Sequence, residues 1–323
     1  MRITAAGSLP GDDFRGALTA MAEALPELLA FPELPARGPG SDMVGRALGL
    51  VDGLGFDLQP AGWRLTSASS PEHRRAAGQW RSDLDDAEEL LQGFDGVLKV
   101  AVAGPWTLAG SVERPRGDRL LSDPGARREL AQALTEAVGE LRASLQRRLP
   151  AATVWLQVDE PLLLAVADGS LPTASGFSRH AAVDGPELAG ALQPLADGAL
   201  LHCCAAGDWL PTARHAGFMG ASIDTRLFTS ATALDRVGEW LADGLTLVAG
   251  VVDTAGAQRQ GTDALVAEAL RLLRPLELDP GLVGQRVVLG TACGLAGWEL
   301  RDVGGQLEAL RSAAALLEEQ LAR

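Results

Sequence analysis

The stretch Leu245-Thr246-Leu247-Val248-Ala249-Gly250-Val251-Val252-Asp253 decides the fold. It is apolar almost throughout and closes on a carboxylate. A strand with one wet face alternates apolar and polar residues. A strand covered on both faces reads as a continuous run, which is the habit of parallel sheets wrapped by helices. Similar runs occur along the whole chain. They predict strands over residues 2–7, 55–63, 97–103, 153–159, 199–204, 220–224, 246–253 and 286–293. Helical spacing lies between them. One long helix opens at Asp123-Pro124 and runs to about residue 148, with Leu130, Leu134, Val138, Leu141 and Leu145 on one face. Shorter helices are predicted over 207–215, 230–242 and 262–273, with Ser230 and Thr262 as N-caps, and a last one over 303–321. Residues 31–40, rich in Pro and Gly, read as a loop.

Eight strands alternating with helices predict a single α/β domain over residues 1–323, a (β/α)8 TIM barrel. The rival is a doubly wound sheet, which would place a G-x-G-x-x-G phosphate loop after its first strand. Gly7-Ser8-Leu9-Pro10-Gly11 lacks that spacing.

The composition excludes several function classes. The chain has 323 residues, 47% of them hydrophobic, and a net charge of −14. It is too apolar for disorder and too acidic for a nucleic-acid surface. Its three cysteines, Cys203, Cys204 and Cys293, are an odd set that does not read as a disulfide framework. The N-terminus has no secretory pattern, and no apolar run is long enough to span a membrane. A cytoplasmic protein with reduced thiols is expected, with neither membrane nor nucleic acid as partner. Arginine supplies nearly all the basic charge, and Lys99 is the single lysine.

In such barrels chemistry sits at the C-terminal strand ends. The polar residues there are Ser8, Asp159-Glu160, His202 with Cys204, Asp224, Asp253 and Cys293. His202 and Cys204 are two apart, so they share a strand face while Cys203 points away. Singly, each has a plain structural reading: a core histidine, a small buried cysteine, a carboxylate at a turn. Together, two thiols, an imidazole and a carboxylate on separate strand ends would converge on one mouth, and that donor set suits Zn²⁺. Asp159 shares its face with Gln157, and Glu160 points the other way. Either an ammonium anchor or a helix-start carboxylate before Pro161 fits that pair, and Asp253 allows the same two readings. The acidic helical run 83–89 reads as a solvated face. Arg114, Arg116 and Arg119 read as a solvated loop.

The motifs resemble the catalytic barrel of the cobalamin-independent methionine synthase family, and its short single-barrel bacterial form most closely. That fold is akin to the uroporphyrinogen decarboxylase barrel. The shared marks are Ala6-Gly7-Ser8-Leu9-Pro10-Gly11, Ser41-Asp42-Met43-Val44, Gly104-Pro105-Trp106-Thr107, Leu156-Gln157-Val158-Asp159-Glu160-Pro161, Leu201-His202-Cys203-Cys204, Ser222-Ile223-Asp224-Thr225, Gly250-Val251-Val252-Asp253 and Ala292-Cys293-Gly294-Leu295. They lie in family order along nearly the whole chain.

The resemblance implies transfer of a methyl group to the thiol of homocysteine, forming methionine. It places the zinc ligands on His202, Cys204, Asp224 and Cys293, with Asp where the family has Glu. It places the homocysteine contacts on Ser8 and Asp159, with Glu160 beside them, and the catalytic carboxylates on Asp159 and Asp253. Three departures stand out. The second, folate-binding barrel of full-length enzymes is not expected here. The family's D-I-H histidine is replaced in Asp253-Thr254-Ala255. Its acid ahead of D-M-V falls at Arg37 or a neighbour. The expected donor is therefore methyltetrahydrofolate or, with a better leaving group, a methylcorrinoid, either of which a partner protein can carry. Another thiol acceptor of the coenzyme M type, and a metal-free binding relative of the barrel, are the alternatives.

Overall fold

The computed structural model describes residues 1–321 and has the expected barrel. Nine strands form: β1 (Leu28–Ala30), β2 (Gly55–Gln59), β3 (Gly62–Thr66), β4 (Val97–Ala103), β5 (Thr153–Asp159), β6 (Ala199–Cys203), β7 (Gly220–Asp224), β8 (Thr246–Val252) and β9 (Val287–Thr291). Seven make one parallel sheet in the order β1-β4-β5-β6-β7-β8-β9. The N-terminal segment closes the ring. Thr4 donates its N–H to the Leu289 carbonyl, and Leu289 donates to Arg2. On the other side Thr4 Oγ1 donates to Leu28 O, and Ser8 bridges in parallel to Glu33. Helices cover the outside, so the strands are buried on both faces. This is why β8 reads as one apolar run.

Three expectations need correction. Residues 55–63 do not form a barrel strand. They enter the antiparallel hairpin β2–β3, which turns at Pro60-Ala61 and lies in its own two-stranded sheet. The barrel strand in that place is β1, only three residues long. Its brevity hid it: Pro26 and Pro32 flank Leu28-Leu29-Ala30-Phe31, and proline removes ladder donors. The second correction is a cap. Ser230 caps its helix, accepting from Ala233 N, but Thr262 is the first residue of its helix and Gly261 takes the cap position. Nor is the 83–89 run merely solvated. Asp83 is buried against Arg37, while Asp86 and Glu89 pair with Arg15.

Strand register brings the polar ends together. Asp159 lies opposite His202, and His202 opposite Ser222. Below them a small apolar cluster fills the barrel: Leu28, Leu200, Val248 and Val288, with Trp155 and Met219 packed against it. Leu200 is completely buried there and shares a face with His202 two residues on. Leu200→Ala is expected to destabilise the protein by about 2–5 kcal/mol in urea unfolding. Leu316→Ala, on the exposed side of the last helix, is expected to change stability by less than about 0.5 kcal/mol. Equal losses would show that the inner layer is not a packed core.

Candidate metal centre

The ends of β6 and β9 create the centre. His202, Cys204 and Cys293 offer ligand atoms that all lie within 4.8 Å of one another, a cluster able to hold a metal ion. The two sulfurs stand 3.8 Å apart. His202 is buried, and its Nδ1 is 3.2 Å from both the carbonyl and the hydroxyl of Ser222. Such an outer partner fixes the ring and leaves Nε2 for an ion. Cys203 points into the core as expected, and burial pushes its thiol up to about 12.

Charge in the triad is shared. The hydrogen bond shared with Cys204, and then that with His202, hold the Cys293 thiol well below its ordinary range. The bond to Cys293 and burial push the Cys204 thiol up. Burial works against a charged His202, but the Cys293 bond and the Asp159 carboxylate raise the imidazole on balance. The two shifts run in opposite directions and make Cys293 the more acidic thiol of the pair. Metal binding releases thiol protons.

Beside the triad stands a group of charges that pair inside the barrel. Asp159 is buried, and Gln157 Nε2 donates to its Oδ1 at 2.7 Å. Burial raises the Asp159 carboxyl, opposed by His202, Gln157 and Lys99. Lys99 lies inside the barrel and donates to Ala6 O and Gln157 Oε1. Burial lowers its ammonium to about 8. Ser8 sits against Gly294: a Cβ on Gly294 would fall 1.7 Å from Ser8 Oγ, so only glycine fits there.

Near Arg37 in the chain, the acid that stands beside Ser8 is Glu33. It bridges to Ser8, is buried, and faces Arg46 at 3.4 Å. Burial raises its carboxyl to about 7, against the pull of Arg46. Arg46 is wedged over Trp80 and Phe31 and donates to Ala101 O. Arg37 pairs with Asp83 at 2.7 Å and covers the Phe14 ring. The available signal was an acid set in an apolar stretch, Phe31-Pro32-Glu33-Leu34, just past β1.

The other candidate carboxylates are engaged elsewhere. Glu160 is fully buried and accepts from Trp106 N, Thr107 N and Thr107 Oγ1 at 2.6–2.9 Å. It caps the helix Pro105–Ser111. A side chain on Gly104 would strike it, with a Cβ 2.3 Å from its Oε1. Asp224 lies outside the triad group, held by Arg226. Asp253 pairs with the same arginine. A groove of about 590 Å³ between Trp106, Arg127, Glu187 and Pro194 lies in the outer helix layer and touches none of the triad.

No known sequence family and no curated protein matches the chain. Solved structures do. One is a B12-independent methionine synthase from Shewanella sp. W3-18-1, solved in complex with selenomethionine. It has a TM-score of 0.63 at 14% identity, and the match covers 99% of this chain and 98% of that one. The likeness shows the fold. Among the described residues no helix is long and apolar enough to cross a membrane.

Burial raises Glu160 from its ordinary 4.5 to about 7, although Thr107 and Trp106 donate to it. Across that window the folded chain keeps a proton that the unfolded chain has released. Stability therefore falls as pH rises from about 4.5 to about 7, and this contribution is constant above it. The native urea midpoint is expected to decline more steeply over this range than that of Glu160→Gln. Parallel curves would mean that Glu160 ionises as an ordinary carboxyl.

Proposed function

We propose that this chain is a zinc-dependent thiol S-methyltransferase that methylates homocysteine to methionine. The observation that carries the reading is the convergence of His202, Cys204 and Cys293 at one end of a barrel of this fold. The donor set supports zinc. Two Zn–S bonds of ~2.3 Å at the tetrahedral angle put their sulfurs about 3.8 Å apart. Cys204 and Cys293 already stand at 3.8 Å. Bound there, zinc would keep a substrate thiol ionised near neutral pH.

The protein's own residues have the rest of the work. Glu33, which bridges to Ser8, and Asp159, whose charge acts on Glu33, are two carboxylates that suit the ammonium of an amino acid. Ser8 offers a hydroxyl to its carboxylate. Gln157 and Lys99 hold Asp159 in one orientation, so positioning costs little when substrate arrives. The substrate sulfur attacks the methyl carbon. The C–S bond forms as the methyl–donor bond breaks, and the electron pair leaves with the donor. A folate donor also needs a proton at its leaving nitrogen, and the segment Asp253-Thr254-Ala255 carries no histidine for it. That favours a methylcorrinoid, free or carried by a partner protein. A coenzyme M-type acceptor would require a cation facing the substrate. Arg37 is taken by Asp83, so the ammonium reading is the better fit.

Purified protein is expected to carry about one zinc per chain, and His202→Ala or Cys293→Ser to carry little. Zinc-free native protein, with these variants unchanged, would leave the metal-free binding relative as the reading. Methionine formation from homocysteine is expected with methylcobalamin and to be far weaker with methyltetrahydrofolate, each offered separately. Asp159→Asn is expected to raise the homocysteine KM by about tenfold or more, the cost of one charged hydrogen bond, with zinc content unchanged. An unaltered KM would remove Asp159 from the substrate site.

A further inference from the structure

We infer that Arg226 withholds Asp224 from the metal, leaving a three-ligand centre whose fourth position is open to the substrate thiol. The inference rests on the metal-centre reading above. Asp224 ends β7, next to the strand that bears His202, and its side chain is 9% exposed. Both its oxygens are in use. Oδ1 accepts from the backbone N–H and Nε of Arg226, at 3.1 and 2.9 Å, and Oδ2 accepts from Nη2 at 2.7 Å. This is the fork geometry in which guanidinium binds carboxylate best. Arg226 is anchored a second time, through Nη1, by Asp253. The guanidinium carries its charge at every working pH. For Asp224 to ligate an ion, at least one arm of the fork must open, and Arg226 must then face the dication with only Asp253 to balance it.

The consequence for the centre is electrostatic. Two thiolates and an imidazole around a dication sum to zero charge. A ligating Asp224 would make the sum negative, and an incoming thiolate would then have to displace a carboxylate. With Asp224 already neutralised, the thiolate meets a neutral centre and an open position. Catalytic zinc sites commonly keep such a position, with three protein ligands. Arg226 acts here through Asp224 and is a positioning residue. The sequence shows the carboxylate at its strand end, but not that a residue two positions later has claimed it.

The test is zinc affinity, measured on the full chain by competition with a chromophoric chelator. Cys204→Ser serves as the reference for a lost ligand. Asp224→Asn is expected to bind zinc within about threefold of the native chain, since the inference gives Asp224 no metal bond. Arg226→Gln is expected to bind it about tenfold more tightly, the scale of an outer-shell effect. That gain is expected to vanish in the double variant Asp224→Asn/Arg226→Gln. Weakening by tenfold or more in Asp224→Asn overturns the inference, as does an Arg226→Gln variant that binds zinc no more tightly than native. If Cys204→Ser loses zinc in the same series, the metal centre stands and only the role of Arg226 falls. If the native chain itself binds no zinc, both readings fail together.

Discussion

A single buried ammonium ties the barrel to its site. Lys99 sits on β4 inside the ring, where an unpaired charge would be costly. It is tolerated because Ala6 O and Gln157 Oε1 accept its protons and because Glu33 and Asp159 lie near. Those partners belong to different parts of the ring. Ala6 is in the N-terminal segment that closes the barrel, and Gln157 is on β5. Gln157 in turn donates to Ala6 O and to Asp159. One cation therefore links ring closure to the orientation of the carboxylate opposite His202.

The same economy governs the rest of the mouth. Each charge buried there has a specific opponent: Glu33 with Arg46, Asp224 with Arg226, Asp159 with Lys99 through Gln157. Arg46 is further held between aromatic faces, where a guanidinium is attracted to the ring quadrupoles. Glu160 faces away from this group and stabilises the start of a helix, where amide N–H groups lack partners. The adjacent carboxylates at the end of β5 thus do different work because an extended chain turns successive side chains to opposite faces.

Much of this was legible locally. The continuous apolar runs located seven of the eight barrel strands, including the N-terminal segment, and the two-residue spacing of His202 and Cys204 put both on one face while Cys203 turned away, into the core under the helices. The first inner strand was not legible. β1 is too short for periodicity to register, whereas the hairpin 55–66 carries enough apolar residues to be taken for a barrel strand. The Thr262 cap failed for a similar reason. Capping depends on one hydrogen bond, and a threonine can equally begin the first turn.

The architecture and the placing of the ligand-type residues at strand ends follow from periods of two and 3.6 within one segment, and so could be read from the residues alone. Which charges are free and which are paired was settled by packing in three dimensions. Glu33 proved to stand beside Ser8 while Arg37 pairs with Asp83, Asp224 proved to be held by Arg226, and Lys99 took a place inside the ring. These outcomes depend on contacts between side chains on neighbouring strands or turns, such as the 58 positions separating Lys99 from Gln157. A carboxylate looks the same in sequence whether its oxygens meet an ion, an ammonium or an arginine two residues away.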